Sequence, residues 1–161
     1  MRPDVRAPRW YHEPWAILFF LLLCLPLGYF LLLRSRTVGR PWENGCSGSR
    51  GIALDADRGL LFTGCAEGGA TAVSVATGSR AGSIAAETGV DVIDYNATLH
   101  HLYVPGATSG AMAIVDVSVG GQLALVRSVP TAVGSHCVVS DQHHRAFVCN
   151  PSAGEIIVIE D

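Results

Sequence analysis

The sequence predicts an all-β protein, a partial β-propeller of about 2.75 four-stranded blades that follows one N-terminal transmembrane α-helix. Two observations lead to this fold class. A continuous apolar segment lies near the start of the chain, and the remainder consists of short β-rich runs that recur every 41–45 residues. The net charge of −3 excludes a protein that binds nucleic acid through a basic surface, because neutralising phosphates requires an excess of Lys and Arg.

The apolar segment predicts a transmembrane helix over residues 15–34, after an N-terminal flank of residues 1–14. Of the 19 residues from Trp15 to Leu33, 17 are apolar. As a helix they would span about 28 Å, close to the hydrocarbon thickness of a bilayer. A cleavable signal peptide has a shorter apolar core followed by small residues, whereas arginine residues follow here. We therefore expect an uncleaved, single-pass membrane anchor.

The charges that flank the anchor do not orient it, because three arginines precede it and three follow it. The cysteines favour one orientation. Outside the apolar segment there are four of them, Cys46, Cys65, Cys137 and Cys149. An even number is compatible with an oxidising compartment, so we expect the β-rich part on the extracytoplasmic, periplasmic side of the membrane.

A repeat occupies residues 48–161, after a linker of residues 35–47. Three sets of residues share offsets of 41 and 44 positions: Phe62, Tyr103 and Phe147, then Gly69, Gly110 and Gly154, then Val73, Ile114 and Val158. These offsets divide the region into units of about 48–87, 88–132 and 133–161. A β-sandwich has no reason to repeat aromatic residues and glycines at one spacing, so the pattern favours propeller blades.

Each unit is predicted to contain consecutive antiparallel strands joined by hairpins. The predicted strands are 50–55, 59–65, 70–76 and 79–85 in the first unit, 91–96, 101–106, 111–118 and 122–129 in the second, and 136–140, 145–149 and 155–160 in the third. The first strand of each unit closes with Asp55, Asn96 or Asp141. Asp and Asn begin turns by accepting hydrogen bonds from nearby backbone N–H groups.

Three pieces of the sequence, residues 51–62, 90–105 and 134–151, resemble blades of the YVTN-type, YncE-like β-propellers. The resemblance covers about residues 48–161 and corresponds to the C-terminal blades of such a propeller. It implies a bacterial, extracytoplasmic protein in a group whose members commonly have seven blades. The wider group includes lactonase-like enzymes and quinoprotein dehydrogenase subunits. This chain departs from the pattern because it carries fewer than three full blades.

The first strands of propeller blades line the central channel, and Arg50, Asp91 and His136 open the three predicted first strands. They form the candidate ligand-binding site, at the mouth of the channel. Arg50 suits an anionic group, Asp91 suits an acceptor or base, and His136 titrates near neutral pH. Propeller channels are polar in any case, so a solvated channel with no dedicated ligand is the alternative.

The cysteines of the third unit are candidates for a disulfide. If Asp141 opposes Arg145 across the turn, Cys137 and Cys149 face each other on neighbouring strands. Two buried small apolar side chains are the alternative. Cys46 and Cys65 could pair only if the linker folds back over the first unit.

No metal site or cofactor is predicted, because the spacing of His136, Cys137 and Cys149 lacks the short Cys-x₂-Cys or His-x₃-His pattern of zinc sites. The paired histidines of two turns, at 100–101 and 143–144, are expected to be solvated.

The function expected from these features is a membrane-anchored, extracytoplasmic β-propeller repeat module that binds a protein or a small ligand. The chain contains no Gly-x-Gly-x-x-Gly, Walker, Gly-x-Ser-x-Gly or His-Glu-x-x-His motif, so no catalytic role is predicted. A fragment of a lactonase-like or quinoprotein-type enzyme and a truncated reading frame without independent function are the alternatives. Because an incomplete ring exposes unpaired strands, we expect self-association or a partner that supplies the missing blades.

Overall fold

The computed structural model of the protein describes residues 39–161, and Trp42–Asp161 form one compact unit. The predicted flank 1–14, the predicted transmembrane helix 15–34 and the first part of the predicted linker lie outside the described residues. Within residues 39–161, no helix is both long enough and apolar enough to cross a membrane. The regular structure of these residues is all β, as the repeat predicts.

The described residues form three antiparallel sheets, and each sheet lies within one repeat unit. The first sheet has the order β1-β2-β3-β4, with β1 Ser49–Asp55, β2 Leu60–Cys65, β3 Ala70–Ser74 and β4 Arg80–Ile84. The second has the order β5-β6-β7-β8, with β5 Asp94–Asn96, β6 His101–Gly106, β7 Ala111–Val117 and β8 Leu123–Pro130. The third has the order β9-β10-β11, with β9 Val138–Ser140, β10 Arg145–Asn150 and β11 Glu155–Glu160.

The first strands of the second and third units are shorter than predicted, so the prediction that Asp91 and His136 open these strands is wrong. Both residues precede their strands, and their backbone groups bond to the neighbouring unit instead. The Gly51 N–H donates to Asp91 O at 2.5 Å, and the Val92 N–H donates to His136 O at 3.0 Å. Since Gly51 and Val92 are 41 residues apart, the same contact joins the first unit to the second and the second to the third.

Glycine at position 51 permits this close approach. A Cβ atom on Gly51 would collide with the backbone of Asp91, Val92 and Ile93. The first two units therefore approach more closely at this contact than the second and third units, where the equivalent donor Val92 carries a side chain.

One of the three anchor sets of the repeat is misaligned by one residue. Tyr103 pairs with Ile114 and Phe147 with Val158, but Phe62 pairs with Ala72 rather than with Val73. Nine residues separate Phe62 from Ala72, whereas ten separate Tyr103 from Ile114 and Phe147 from Val158. The first hairpin is thus one residue shorter, which shifts β3 by one position, so Val73 lies on the face opposite to Phe62.

The core consists of two apolar layers, one on each side of the second sheet. The layer between the first and second sheets includes Leu60, Phe62, Ala72, Val90, Ile93, Tyr95, Leu102, Val104, Val115 and Val117. The layer between the second and third sheets includes Tyr103, Met112, Ile114, Val138, Ala146 and Val148. Alternate residues of β6 and β7 contribute to the two layers, because successive strand residues point to opposite faces. The inner strands β6 and β7 are thereby buried on both faces, whereas the outer strand β8 is mostly exposed.

The residues that close the first strands begin turns as predicted. The carboxylate Oδ1 of Asp55 accepts from the Arg58 N–H, and the amide Oδ1 of Asn96 accepts from the Thr98 and Leu99 N–H groups. In the third unit, Asp141 Oδ1 accepts from the N–H groups of His143 and Arg145. The same side-chain position therefore starts the first hairpin of all three units.

Asp141 gives this turn a dependence on pH. Partial burial acts to raise the pKa of Asp141, but the hydrogen bonds donated by His143 and Arg145 outweigh it and lower the pKa to about 2. The Asp141 carboxylate therefore stabilises the folded state fully above its unfolded pKa near 3.8, and this stabilisation is lost as the pH falls through about 2.

We expect Asp141→Asn to unfold at a slightly lower temperature than the unchanged chain at neutral pH, and the difference to disappear as the pH falls from about 4 to about 2. Thermal unfolding followed by circular dichroism across this pH range checks the result. A difference between the two proteins that stays constant down to pH 2 would contradict it.

Residues 42–48, which we call the N-terminal cap, fold back over the first sheet. A disulfide joins Cys46 to Cys65, with Cα atoms 5.1 Å apart. The indole of Trp42 lies against Gly78, where a Cβ atom would collide with the ring. Cys46 Sγ lies 3.9 Å from Thr71 Oγ1, and Thr71 is buried. The cap therefore covers part of the face of the first sheet that points away from the second.

Candidate functional site

The three residues proposed from the repeat line one cavity. Arg50, Asp91 and His136 contribute to its wall, and the cavity has a volume of about 370 Å³. The remaining lining residues are small or apolar: Ala66, Gly89, Val90 and Ala107. A volume of this size is at the lower end of the range that holds small organic ligands.

Backbone hydrogen bonds between units place the three side chains. The Asp91 carbonyl oxygen accepts from the Gly51 N–H of the first unit, and the His136 carbonyl oxygen accepts from the Val92 N–H of the second unit. Arg50 directly precedes Gly51 in the sequence. One residue from each repeat unit therefore contributes to the same cavity, although the three residues are far apart in the sequence. The periodicity found in the sequence thus predicts the cavity, although the strand boundaries differ.

The charges in the cavity are only loosely paired. Arg50 Nη1 lies 3.9 Å from Asp91 Oδ1, and the two side chains remain 56% and 45% exposed. At this distance and exposure the pair contributes little to stability. Both groups therefore keep most of their hydrogen-bonding capacity for another molecule.

The imidazole of His136 is oriented by its own loop. Its Nδ1 lies 2.7 Å from the carbonyl oxygen of Gly134, which can only accept, so Nδ1–H is the donor. The other ring nitrogen, Nε2, then has no hydrogen-bond partner within this loop. The cavity combines a guanidinium, a carboxylate and an imidazole, which together can hold an anionic group and a neighbouring hydroxyl or amine.

A buried polar network that the sequence did not predict joins the first two sheets. Arg58 Nε donates to Asp55 Oδ2 at 2.5 Å, and Tyr95 OH donates to the same oxygen at 2.8 Å. Arg58 also bonds to the Tyr95 hydroxyl and donates from Nη1 to Val117 O at 3.0 Å. Two charged residues thus lie between sheets without contact to the cavity, which indicates a structural role.

The pKa values of this network follow from its burial. Burial alone would raise the pKa of Asp55, but the hydrogen bonds from Arg58 and Tyr95 outweigh it and hold that pKa below its usual value. Burial, together with the bond to Asp55, raises the pKa of Tyr95 to about 12. The network therefore keeps Asp55 ionised and Tyr95 neutral at physiological pH.

A second unpredicted cluster joins the second and third sheets. Tyr103 OH donates to Asp161 Oδ2 at 2.8 Å, and His101 Nδ1 lies 2.7 Å from the same oxygen. Arg127 Nη2 lies 3.5 Å from Asp161 Oδ1. Burial, followed by the bond to Asp161, raises the pKa of the Tyr103 hydroxyl. The expectation that the histidine pairs are solvated is therefore wrong for His101, whereas His100 is exposed as expected.

The other member of that pair also has a structural partner. His100 Nδ1 lies 3.1 Å from the Tyr95 hydroxyl. The histidines of the second pair, His143 and His144, are exposed, as expected. His101 differs from the other three because it opens β6 and contacts Asp161, which follows β11 of the third sheet.

The structure joins Cys137 to Cys149 by a disulfide, with Cα atoms 5.5 Å apart. The register on which the predicted pairing depends is present, because the Asp141 N–H donates to Arg145 O at 3.0 Å. The Cys149 N–H donates to Cys137 O at 3.1 Å, so the two cysteines lie opposite each other. The linkage that the sequence favoured less, Cys46 to Cys65, is also present because the cap folds back.

Among residues 39–161, one group has the geometry of a metal site. It consists of Cys46, Cys65 and Glu67, whose ligand atoms lie within 4.8 Å of one another. The two sulfur atoms are joined in the disulfide, and a metal requires thiolates. Glu67 instead accepts from the N–H groups of Ser47 and Gly48, which fixes the cap.

Comparison with solved structures gives likenesses at low sequence identity. A protein from Lactobacillus plantarum, determined in a structural genomics programme, has a TM-score of 0.56 and 16% identity over 70% of this chain and 41% of its own. Hydrazine synthase from Kuenenia stuttgartiensis has a TM-score of 0.53 and 16% identity over 79% and 40%. A chain of a mitotic checkpoint complex has a TM-score of 0.61 and 15% identity over 74% and 39%.

These likenesses concern the fold alone, since the identities are low. The chain spans about two fifths of the length of the three structures it matches. No family model and no curated protein matches the chain. The described residues have a propeller-like fold built from repeats, and the neighbours are β-propeller-like proteins.

Proposed function

We propose that the protein is a binding module of the YncE-like type that holds a small anionic ligand in the cavity lined by Arg50, Asp91 and His136. The observation that carries this proposal is the convergence of three different ionisable side chains, one from each repeat unit, on one cavity of about 370 Å³. In the proposed complex the Arg50 guanidinium binds a carboxylate through two N–H groups. Asp91 accepts from a hydroxyl or amine of the ligand, and His136 bonds through Nε2.

The proposal includes a location outside the cytoplasm and an anchor formed by residues 15–34. Two disulfides, Cys46–Cys65 and Cys137–Cys149, join neighbouring segments of the chain. Disulfides persist mainly in oxidising compartments. The apolar segment has the length required to span a bilayer. Alkaline phosphatase fused after Asp161 is expected to be active in bacterial cells, since this reporter folds only where disulfides form. An inactive reporter on a stably expressed fusion would contradict the proposed location.

Ligand binding is tested with the full chain in detergent and a panel of hydroxycarboxylates: glycolate, lactate, malate and gluconate. We expect at least one to raise the unfolding temperature, because a ligand that binds only the folded state stabilises it. Arg50→Gln is expected to weaken that binding at least tenfold, by removal of the charged donor. Isothermal titration calorimetry gives the dissociation constants.

Arg40→Gln is the matched control, because it makes the same change of charge at an exposed position outside the cavity. We expect it to leave the dissociation constant unchanged. Two results would overturn the proposal: no hydroxycarboxylate binds the chain, or Arg50→Gln and Arg40→Gln affect binding equally.

A further inference from the structure

Arg50, the cationic residue of the ligand cavity, lies in an irregular stretch of β1. The register of β1 against β2 shifts between Ser49 and Ile52, so that Arg50 and Gly51 both oppose one residue of β2. Such a β-bulge interrupts the ladder locally and redirects a side chain. The regular pairing of the two strands therefore does not by itself fix the direction of the Arg50 guanidinium.

In the second unit, an apolar side chain holds the backbone beside the cavity. Val90 directly precedes Asp91, pairs with Gly106 and is 2% exposed. Ser49 occupies the equivalent position of the first unit, 41 residues earlier, and pairs with Cys65, but it is exposed. An exposed serine cannot anchor the backbone as the buried valine does.

The Cys46–Cys65 disulfide provides an anchor at this place in the first unit. It joins the N-terminal cap to the residue that pairs with Ser49. Cys65 is buried and directly precedes Ala66, which lines the cavity and whose N–H donates to Gly48 O at 2.9 Å. The disulfide and this hydrogen bond together hold the segment that leads into the bulge.

Two further contacts of the cap lie at the surface. The exposed carboxylate of Glu67 accepts from the N–H groups of Ser47 and Gly48, at 2.5 and 3.2 Å. The indole of Trp42 lies against Gly78 but remains 41% exposed. Solvent-exposed contacts of this kind open readily. We therefore expect the cap to detach from the end of β2 when the disulfide is absent.

The second disulfide, Cys137–Cys149, also adjoins the cavity, because Cys137 follows His136. Backbone hydrogen bonds hold the same residues independently of it. The Cys149 N–H donates to Cys137 O at 3.1 Å, and the Val92 N–H donates to His136 O at 3.0 Å. Reduction of this disulfide is therefore expected to leave the His136 imidazole in place.

We propose that the Cys46–Cys65 disulfide positions the Arg50 guanidinium for its ligand, so that the ligand affinity depends on the oxidation state of this one bond. The inference rests on the proposed ligand site. A covalent anchor of this kind raises affinity because the guanidinium is already in place before the ligand arrives.

Reduction of this disulfide requires an external dithiol. One thiolate of the dithiol attacks Cys46 Sγ, because Cys46 is partly exposed whereas Cys65 is buried. The S–S bond breaks, and Cys65 leaves as a thiolate that takes up a proton. The second thiolate of the dithiol then displaces Cys46, which is protonated in turn, and the dithiol closes its own disulfide. Two electrons and two protons pass from the dithiol to the protein.

The test measures binding of glycolate, lactate, malate and gluconate to the full chain in detergent, by calorimetry, before and after treatment with dithiothreitol. We expect reduction to raise the dissociation constant at least about threefold, with an unchanged circular dichroism spectrum, and reoxidation to reverse the change. The rise is expected not to exceed that caused by Arg50→Gln, because displacing the guanidinium cannot cost more than removing it.

Two double variants assign the effect to one disulfide. Cys46→Ala/Cys65→Ala is expected to bind with the affinity of the reduced chain and to show no response to dithiothreitol. Its Ala66 amide is expected to exchange with solvent at least about tenfold faster than in the unchanged chain, since Gly48 is no longer held. Cys137→Ala/Cys149→Ala is expected to bind as the oxidised chain does and to lose affinity on reduction.

Arg50→Gln separates positioning of the guanidinium from a general loosening of the first unit. We expect the remaining affinity of this variant to be the same before and after reduction, because the effect of the disulfide passes through the side chain that has been removed. An equal loss in Arg50→Gln, a loss that follows Cys137–Cys149, or unchanged protection of the Ala66 amide would overturn the inference. Binding that is insensitive to reduction would overturn this inference alone, whereas no binding in either state would overturn the proposed function with it.

Discussion

Phe62→Ala is expected to lower the free energy of unfolding by about 3–5 kcal/mol, the largest loss predicted for any single substitution in this chain. Phe62 is fully buried between the first two sheets, and its ring centroid lies 4.9 Å from that of Tyr95. Truncation removes the apolar contacts of the ring and leaves a cavity that two sheets, held by the repeated backbone contact, cannot close. Chemical unfolding followed by circular dichroism measures the loss.

Leu54→Ala is the matched control for this substitution. Leu54 belongs to the same sheet but is 56% exposed on its outer face, so we expect a loss below about 1 kcal/mol. Equal losses for the two substitutions would contradict the layered packing and would indicate that the first sheet is buried on its other side.

Asp55→Ala is expected to cost about 3 kcal/mol, because it removes one partner of a buried ion pair. Asp55 is 4% exposed, and Arg58 would remain between the sheets without a carboxylate. The Tyr95 hydroxyl would lose its acceptor as well. The measurement is again the free energy of unfolding of the full chain.

Asp57→Ala makes the same chemical change two residues away, at an exposed position. We expect it to change the free energy of unfolding by less than about 0.5 kcal/mol. A loss for Asp55→Ala as small as that for Asp57→Ala would show that Arg58 is solvated rather than held between the sheets.

The fold class was predictable because the repeat carries long-range information that local patterns lack. Three aromatic residues separated by 41 and 44 positions mark equivalent strands of the three units, so the strand order deduced for one unit applies to the others. The Val73 anchor failed because the hairpin between β2 and β3 is one residue shorter than its counterparts, which shifts β3 without changing its apolar composition. The anchor helix lies outside the described residues and stays a prediction.

The cavity was predictable for the same reason, since equivalent positions of adjacent units converge near the axis of the stack. The strand boundaries around Asp91 and His136 were not predictable. Their backbone groups bond to the preceding unit, and no local sequence pattern reports such a contact. Gly51 carries a signal in retrospect, because a residue without a side chain within a strand often marks close approach of another backbone.

The polar networks between sheets were missed because each joins residues that are distant in sequence and individually ordinary. Asp55 and Tyr95 are 40 residues apart, and Tyr103 and Asp161 are 58 residues apart. The first separation is close to the repeat period, which is the one signal that could have identified it. Asp161 has no such signal, since its position depends on the path of β11 past the second sheet.

The most direct test of the stacked arrangement is hydrogen exchange of individual backbone amides, measured by NMR on the full chain in detergent. We expect the amides of Gly51 and Val92 to exchange slowly and at similar rates, because each bonds to the following unit. The amide of Gly120, in an exposed turn, is expected to exchange at least about a hundredfold faster. Exchange of Gly51 or Val92 as fast as that of Gly120 would contradict the stacking of the three units and the cavity that depends on it.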